Sequence, residues 1–319
     1  MNVRAAFWCC ATLGCFAAHA QTYPTRAVRL VVPYVPGGGT DFTARVIAPR
    51  LGEALGQQIV VENRPGGGTN IGSDLVAKAA PDGYTLLMAG AANAINMSLY
   101  ADPPYDTLRD LAAVSLSVKG ANVLLVHPSL PVKTLKELLA LARAQPGKLN
   151  YASSGLGSAN HMAGELLKLV AGVNITHIPY KGTGPMLIDH MAGHIQVSLL
   201  NLIAALPQVE TKRLRALIVT GVKRSNKLPE VPTFEESGIA GFDDISGHMI
   251  LVPAGTPKDI IARLNRELVK ALRAPEVVAR LENEGAEIIG NTPEEAAAIV
   301  RADLDKWADV IKRSGIKPD

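Results

Sequence analysis

The feature that most constrains the fold is a rhythm of short β-branched runs, each followed by a glycine-rich turn and a helical pattern. Residues 29–35 and 58–62 are such runs, and each leads into Pro-Gly-Gly-Gly. The same order returns at 149–152 and 175–180, with helices predicted at 135–144 and 159–170. Further strands are predicted at 196–200 and 214–220. Strands that alternate with helices build mostly parallel sheets covered by helices, so the pattern predicts an α/β fold.

Composition supports an ordered protein of two domains. The chain has 319 residues, of which 48% are hydrophobic and only 4% aromatic, so its core is built mainly from aliphatic side chains. Its formal net charge is +3, and the basic residues are scattered singly along the sequence. A nucleic-acid binder would concentrate them in a patch, so we expect no nucleic-acid partner.

Residues 1–20 form a predicted signal peptide. Arg4 supplies the positive charge, residues 5–17 are apolar, and Ala18-His19-Ala20 is a cleavage site. The mature chain is therefore expected in the periplasm. All three cysteines (Cys9, Cys10 and Cys15) lie in this segment, so the mature chain has no cysteine for a disulfide or a metal. An alternative interpretation is a lipoprotein box that ends at Cys15.

The most informative motif is a short pseudo-repeat at 36–41 and 65–70. Consecutive glycines after a strand present several backbone N–H groups in a concave nest, and the helix that follows adds its positive dipole end. Such a nest binds an anion without a charged side chain. The predicted ligand-binding residues here are Tyr34, Gly37, Gly38, Gly39, Thr40, Asp41, Gly66, Gly67, Gly68 and Thr69. The plainer interpretation is that each motif only makes a tight turn.

Threonine, aspartate and asparagine are also suited to cap helices or to orient water, so Thr40, Asp41, Thr69 and Asn70 are candidates for those roles. Neither motif matches a nucleotide-binding fingerprint, so we expect no cofactor. Helix starts are predicted at Thr256-Pro257 and Thr292-Pro293, and a loop is predicted at 226–241.

Two later glycine-rich turns extend the predicted site. The first contributes Ser153, Ser154, Gly155, Ser158 and His161, and the second contributes Tyr180, Lys181, Gly182 and Thr183. Lys181 is interpreted either as an anion ligand or as a solvated lysine. A serine hydrolase built on Ser154 and His161 is a further alternative, although the Gly-x-Ser-x-Gly elbow is absent.

His190 and His194 are spaced for zinc binding on one helical face. The glutamate of His-Glu-x-x-His is missing, however, and no third ligand is evident. Gly193 also indicates that the helix ends there. We therefore predict no metal site.

These motifs, taken in order, closely resemble the substrate-binding proteins of tripartite tricarboxylate transporters, also called the Bug family. The resemblance covers essentially the whole mature chain. It includes PGGGTD at 36–41, VVENRPGGG at 60–68, PDGYTLL at 81–87, PGKLNYASSG at 146–155, HIPYKGTGP at 177–185, LPEVPTFEESG at 228–238, PAGTP at 253–257 and a helix around Trp307.

The resemblance implies a two-lobed periplasmic-binding-protein fold of the Venus flytrap type. We expect 21–122 and 246–319 to form lobe 1 and 123–245 to form lobe 2, each a mostly parallel sheet flanked by helices. The first two glycine loops would cradle a carboxylate through N–H groups and waters. The implied function is non-catalytic: a monomer that delivers a small carboxylate to a membrane permease of the tripartite tricarboxylate type. A ligand sensor for a receptor kinase is an alternative.

Three departures from the family pattern bear on the ligand. Gly247 and His248 stand where the family usually has two aromatic residues, Thr69 stands where glycine is common, and Ser198 and Asn201 stand where acids are frequent. Asn201 is a further predicted ligand-binding residue. These substitutions predict a ligand that is bulkier, or less dependent on a cationic group, than an acidic amino acid, such as an aromatic or longer-chain carboxylate.

Overall fold

The computed structural model describes residues 23–221, 223–239 and 245–316. The predicted signal peptide, with its three cysteines, lies outside the described residues, as do the last two residues of the predicted 226–241 loop. Within the described ranges, no helix is both long enough and apolar enough to cross a bilayer.

Strands and helices alternate along most of the chain. The strands are β1 (Val28–Val32), β2 (Ile59–Asn63), β3 (Thr85–Ala89), β4 (Leu111–Val126), β5 (Asn150–Ser153), β6 (Thr176–Pro179), β7 (Val197–Asn201), β8 (Arg215–Val219), β9 (Ile245–Pro253) and β10 (Glu287–Ile288). The helices are α1 (Gly39–Leu55), α2 (Asn70–Ala77), α3 (Ala92–Leu99), α4 (Thr107–Asp110), α5 (Leu135–Ala144), α6 (Ala159–Ala171), α7 (Thr183–Met191), α8 (Leu202–Glu210), α9 (Lys258–Leu272), α10 (Pro275–Asn283) and α11 (Pro293–Ser314). The six predicted strands are all present, and both predicted helices are found.

The first sheet places β1 at the centre of the parallel order β2-β1-β3. Leu30 pairs with Val61 on one side and Leu86 on the other. Helices α1 and α9 cover one face of β1, where Leu30 packs, and Val31 packs on the opposite face with residues of α2. Burial on both faces explains why β1 reads as an uninterrupted apolar run rather than an alternating one.

The long strand β4 belongs to two sheets. Its residues from Leu111 to Ala121 pair antiparallel with β9, and the next residue, Asn122, pairs with Asn201 of β7. Strand β9 continues the first sheet by pairing antiparallel with β3. Strands β4 and β9 therefore connect two α/β lobes. The predicted division at 122/123 and 245/246, which falls near this change of partner, stays a prediction.

The second sheet repeats the arrangement of the first. Strands β5, β6 and β7 are parallel, with β5 between the other two, and β4 pairs antiparallel with both β7 and β8. The predicted two-lobed α/β fold is confirmed, and each of its sheets combines a parallel part with antiparallel pairs. The antiparallel pairs arise from β4 and β9, which cross between the lobes, and from the short strands β8 and β10.

The two predicted starts of C-terminal helices have different outcomes. Helix α11 begins as predicted: the Thr292 hydroxyl accepts from the Glu295 N–H, and the Glu295 carboxylate accepts from the Thr292 N–H. Helix α9 also starts where it was predicted, directly after Pro257, but Thr256 does not cap it, because the Thr256 hydroxyl donates to the Pro253 carbonyl instead.

Helix α11 joins the cores of the two lobes. Trp307 is buried among residues of α5, α6 and β5, whereas Val300 packs with residues of β1 and β3. The C-terminal segment therefore follows β9 back to the first lobe and then contacts the second.

Candidate ligand-binding cleft

The first glycine loop ends at the start of α1. Gly37 has a φ of 90°, and Gly38, with a φ of −88°, is the N-cap residue and makes no side-chain cap bond. The first N–H groups of a helix have no acceptor within it, and the helix dipole makes this end positive. Gly38, Gly39 and Thr40 line the space between the lobes. The loop therefore presents main-chain donors to that space.

Asp41 holds this loop from behind. Its side chain accepts hydrogen bonds from the Gly37 N–H at 3.0 Å, from Arg45 Nε at 3.0 Å and from Asn63 Nδ2 at 2.9 Å. Burial raises the pKa of Asp41, but these hydrogen bonds outweigh it and hold the pKa below its ordinary value. The predicted helix-cap role is wrong for Asp41, which ties the loop to α1 and β2 instead.

The second glycine loop is left-handed throughout. Gly66, Gly67 and Gly68 have φ values of 126°, 57° and 61°, and Thr69 follows with a φ of 85°. A threonine in this region is strained, and its hydroxyl does not cap α2, so the predicted cap is wrong here as well. Asn96 steadies the loop by donating from Nδ2 to the Gly68 carbonyl at 2.7 Å and to Asn70 Oδ1 at 2.9 Å.

The third loop is organised by Asn160. Its Oδ1 accepts from the hydroxyl groups of Ser154, at 3.0 Å, and Ser158, at 2.6 Å, and from the Ser154 N–H at 3.2 Å. Ser158 is also the N-cap residue of α6, where its hydroxyl accepts from the His161 N–H. These bonds fix the loop against the start of α6.

The fourth loop contains Lys181, the one charged side chain that lines either chamber among the residues the structure describes. Lys181 is exposed and has no ion-pair partner among the described residues. Tyr180 is fixed by a hydrogen bond from its hydroxyl to Asp189 at 2.7 Å, and burial, with that bond, raises its pKa to about 12. Gly182, with a φ of 118°, precedes α7.

Asn201 and His248 complete the floor. Asn201 Oδ1 accepts from the Ile203 N–H, whereas its buried Nδ2 has no acceptor among the described residues. His248 is 5% exposed, and burial lowers its pKa to about 4, so it is neutral at pH 7. The Thr43 hydroxyl donates to the Gly39 carbonyl, so it accepts from His248 Nδ1 at 2.9 Å. His248 Nε2 then accepts from Thr40 at 3.2 Å.

The cleft consists of two adjoining chambers that share Tyr34, Val35 and Ser154. The inner chamber contains about 680 Å³ of free space and the outer chamber about 960 Å³, and both are partly open to solvent. Of the predicted residues, the inner chamber is lined by Tyr34, Gly38, Gly39, Thr40, Ser154, Thr183 and Asn201. The outer chamber is lined by Tyr34, Gly66, Gly67, Gly68, Thr69, Ser154, Gly155, Ser158, Tyr180, Lys181 and Gly182.

Four predicted residues lie behind the cleft instead of lining it. Gly37 and Asp41 support the first loop. Ser153 is fully buried, with its hydroxyl 2.6 Å from His177 Nε2, and His161 stacks on the His177 ring.

Sequence reasoning missed several lining residues. They are Val35, Gly90, Ala91, Asn122, Ala159, Asn160, Leu200, Ala204, Gly247 and His248 in the inner chamber, and Pro33, Pro65 and Leu156 in the outer chamber. Pro65 lies inside the 65–70 motif, and Gly247 and His248 were noted as departures from the family pattern, but none of the three was predicted to line the site.

The alternative serine-hydrolase geometry is not assembled. Ser154 Oγ is bonded to Asn160, and His161 Nδ1 accepts from the Gly157 N–H.

His190 is buried against Ser198, whereas His194 is exposed near Asp189. The described residues contain no group of three potential histidine, cysteine or acidic metal ligands.

The lobes touch across the cleft. A Cβ atom on Gly68 of the first lobe would lie 2.8 Å from the Leu156 carbonyl oxygen of the second. A Cβ on Gly157 would lie 2.5 Å from Asn96 Oδ1, and one on Gly182 would collide with Val35. Glycines at these positions allow the lobes to approach, so the structure represents the closed conformation.

Two α/β lobes joined by crossing strands and closed over a donor-lined cleft define a periplasmic-type solute-binding protein. The sequence profile described as "Tripartite tricarboxylate transporter family receptor" matches residues 43–316. The chain belongs to this family, which confirms the resemblance seen in the motifs.

Individual relatives and solved structures are also similar to this chain over most of its length. Protein BugT of Bordetella pertussis is 38% identical over 300 residues, 93% of this chain and 92% of BugT. R. palustris Rpa4515, solved with adipate, is 38% identical with a TM-score of 0.89 and covers 93% of this chain and 100% of its own. MatC from Rhodopseudomonas palustris, solved with bound malate, is 31% identical with a TM-score of 0.87, and the match covers 91% of this chain and 100% of MatC.

Proposed function

We propose that this protein captures a small carboxylate between its two lobes. The observation that carries the proposal is the chemistry of the chamber walls. Main-chain N–H groups of the first loop and the start of α1 face the cleft, and no acidic side chain among the described residues lines either chamber. Lys181 adds one positive charge. An anion is stabilised in such a setting, whereas a cation would find no counter-charge.

The rest of the ligand is expected to be apolar. Leu200, Ala204 and Ala91 line the inner chamber together with the donor loop, so they offer an aliphatic surface to the ligand body. Asn201 Nδ2 is a donor for a polar group at that end. We propose a carboxylate with an aliphatic or aromatic body, which is consistent with the adipate in Rpa4515.

Delivery to a membrane permease of the tripartite tricarboxylate type is the second part of the proposal. It is supported by the family of the chain. The predicted signal peptide places the mature protein in the periplasm, where such a permease would meet it. In this proposal, the protein binds and releases the carboxylate without changing it chemically.

Isothermal titration calorimetry of the mature chain tests the proposal. Adipate, malate, an aromatic carboxylate and aspartate are titrated in turn. A diamine of adipate's length, which carries two positive charges at pH 7, is the control of opposite charge. We expect binding of at least one carboxylate other than aspartate and none of the diamine. A preference for aspartate would overturn the proposed ligand class, because its ammonium group would meet no acid in the cleft.

A further inference from the structure

A second cavity lies on the opposite face of the crossing strands from the ligand cleft. We call it the hinge cavity; it contains about 1020 Å³ of free space, part of it open to solvent, between strands β3, β4 and β9 and helices α3 and α11. Side chains alternate along β9, so His248 faces the cleft while Met249 and Leu251 face the hinge cavity. The two cavities are therefore separated by the sheet, with backbone at Gly90, Ala91 and Gly247 shared by both.

Gly247 leaves this cavity open. A Cβ atom at this position would lie 2.8 Å from Leu116 Cδ1, which lines the hinge cavity. A side chain on residue 247 would therefore occupy the cavity. Gly247 is also the direct cross-strand partner of Lys119, so position 247 places no side chain opposite the lysine.

The walls of the hinge cavity are mainly apolar. Aliphatic and thioether side chains come from the strands and from α11: Leu116, Met249, Leu251, Ile299 and Val300. The neutral polar residues that line it are already engaged. Asn93 donates to Ser73 and Tyr105, and the Thr107 hydroxyl donates to the Asn93 carbonyl at 2.6 Å.

Among the described residues, the charged ones that line the hinge cavity are two lysines and one aspartate. Lys119 is half-buried on β4 and forms no ion pair among the described residues, although Glu287 is its cross-strand neighbour on β10. Lys306 and Asp303 approach from α11, with Lys306 Nζ 5.0 Å from the centroid of the Trp307 ring. The cavity thus combines an apolar chamber with Lys119, which stands outside the ion pairs that the described residues form.

We propose that the hinge cavity is a second ligand site, which takes an amphipathic monocarboxylate with its chain among the apolar side chains and its carboxylate at Lys119. Desolvating an alkyl chain in this chamber supplies the affinity, and the lysine supplies the preference for an anion. The site does not depend on the function proposed for the cleft, because it uses the opposite face of the sheet.

The test uses octanoate as the probe and octan-1-ol as its neutral match. Met249 lines the hinge cavity and not the cleft, so its ¹³C-methyl signal in a methionine-labelled mature chain reports occupancy at this place. We expect octanoate to shift this signal and to bind at least tenfold more tightly than octan-1-ol. Lys119→Met should remove that preference by weakening octanoate binding about tenfold while leaving octan-1-ol unchanged.

Ala302→Trp, at an exposed position of α11, should cover the cavity and abolish binding of both probes while the protein stays folded. The Met249 shift should persist with saturating adipate and in Gly38→Val, which alters the cleft. Loss of the shift in Gly38→Val would place octanoate in the cleft and overturn the proposal. An unchanged affinity in both Lys119→Met and Ala302→Trp would also overturn it.

Discussion

At the scale of single residues, the donor loop works through its main chain, so it is tested by filling the space in front of it. Gly38 has a φ that any residue adopts, and a Cβ there would lie 3.4 Å from Thr183 Oγ1 across the cleft. We expect Gly38→Val to weaken carboxylate binding at least tenfold while lowering the free energy of unfolding by less than about 1 kcal/mol. Calorimetry and urea unfolding measure the two effects.

Gly184→Val is the matched control, because a Cβ at Gly184 has open space around it and its φ is not positive. It should leave the affinity unchanged. Gly67 is less useful as a test site, because its φ of 57° disfavours any β-branched residue and would mix a loss of stability with a loss of binding. Normal affinity in Gly38→Val would show that the first loop serves only the turn.

Asp41 is expected to matter for the stability of the loop more than for the charge of the site. Its two oxygens accept from Gly37, Asn63 and Arg45, and an asparagine would turn an NH₂ group toward one of these donors. We expect Asp41→Asn to lower the free energy of unfolding by about 1–3 kcal/mol in urea. Arg45→Met should cost less than about 1 kcal/mol, because that side chain is half exposed. Equal losses in both variants would contradict this account.

At the scale of elements, histidines in the second lobe and at the hinge make the free energy of unfolding depend on pH. Burial lowers the pKa of His177 to about 3 and those of His190 and His248 to about 4, against about 6.5 in the unfolded chain. The unfolded chain therefore binds more protons below pH 6.5. Stability is full above this pH and falls toward pH 4, by up to roughly 1.4 kcal/mol per pH unit for each histidine.

Urea midpoints at pH 7.5, 6.0 and 5.0 measure this slope. His248→Gln should lower the slope by up to the contribution of one proton, because it removes one buried histidine. A flat profile between pH 7.5 and 5.0 would contradict the prediction.

Elements with local signals were predictable from the sequence. The strands β1 and β2 and the helix start at Thr292 were found because β-branched runs and a capping box act within a few residues. The crossing strand β4 was missed, since Ser115, Ser117 and Asn122 interrupt its apolar pattern, although all three are buried. Their burial depends on partners distant in sequence, such as Asn291, which accepts from the Ser115 hydroxyl at 2.8 Å.

The residues of the cleft also fall into a group that local sequence signals predict and a group that depends on the tertiary fold. Glycine turns that follow strands identified most of its lining, because the carboxyl ends of neighbouring strands meet at one edge. His248 and Asn122 come from the middle of crossing strands, and only the tertiary fold brings them to the floor. The predicted cap roles of Asp41 and Thr69 failed because longer-range partners, Arg45 with Asn63 and Asn96, determine where these loops are held.

At the scale of the whole molecule, closure depends on glycines where the lobes meet. Gly157 has a left-handed φ of 71°, which asparagine tolerates, but a Cβ would lie 2.5 Å from Asn96 Oδ1. We expect Gly157→Asn to hold the lobes apart and weaken every carboxylate about equally, by tenfold or more. Small-angle X-ray scattering should then show no decrease in the radius of gyration when ligand is added.

Gly172→Asn is the control for this variant. Gly172 is also left-handed, with a φ of 58°, and a Cβ there meets no atom within 4 Å. The Gly172→Asn protein should show the same decrease in the radius of gyration on adding ligand as the unsubstituted protein. A Gly157→Asn protein that contracts normally with ligand would show that this contact does not limit closure.

The use of main-chain N–H groups to bind the anion has a consequence for evolution. Because the donors at Gly38, Gly39 and Thr40 belong to the main chain, exchanging a side chain leaves their N–H groups in place unless the new residue is proline. The opposite wall at Leu200 and Ala204 is made of side chains, which single codon changes can replace. Descendants of such a gene can therefore drift from one organic acid to another while they retain the capacity to hold an acid at all.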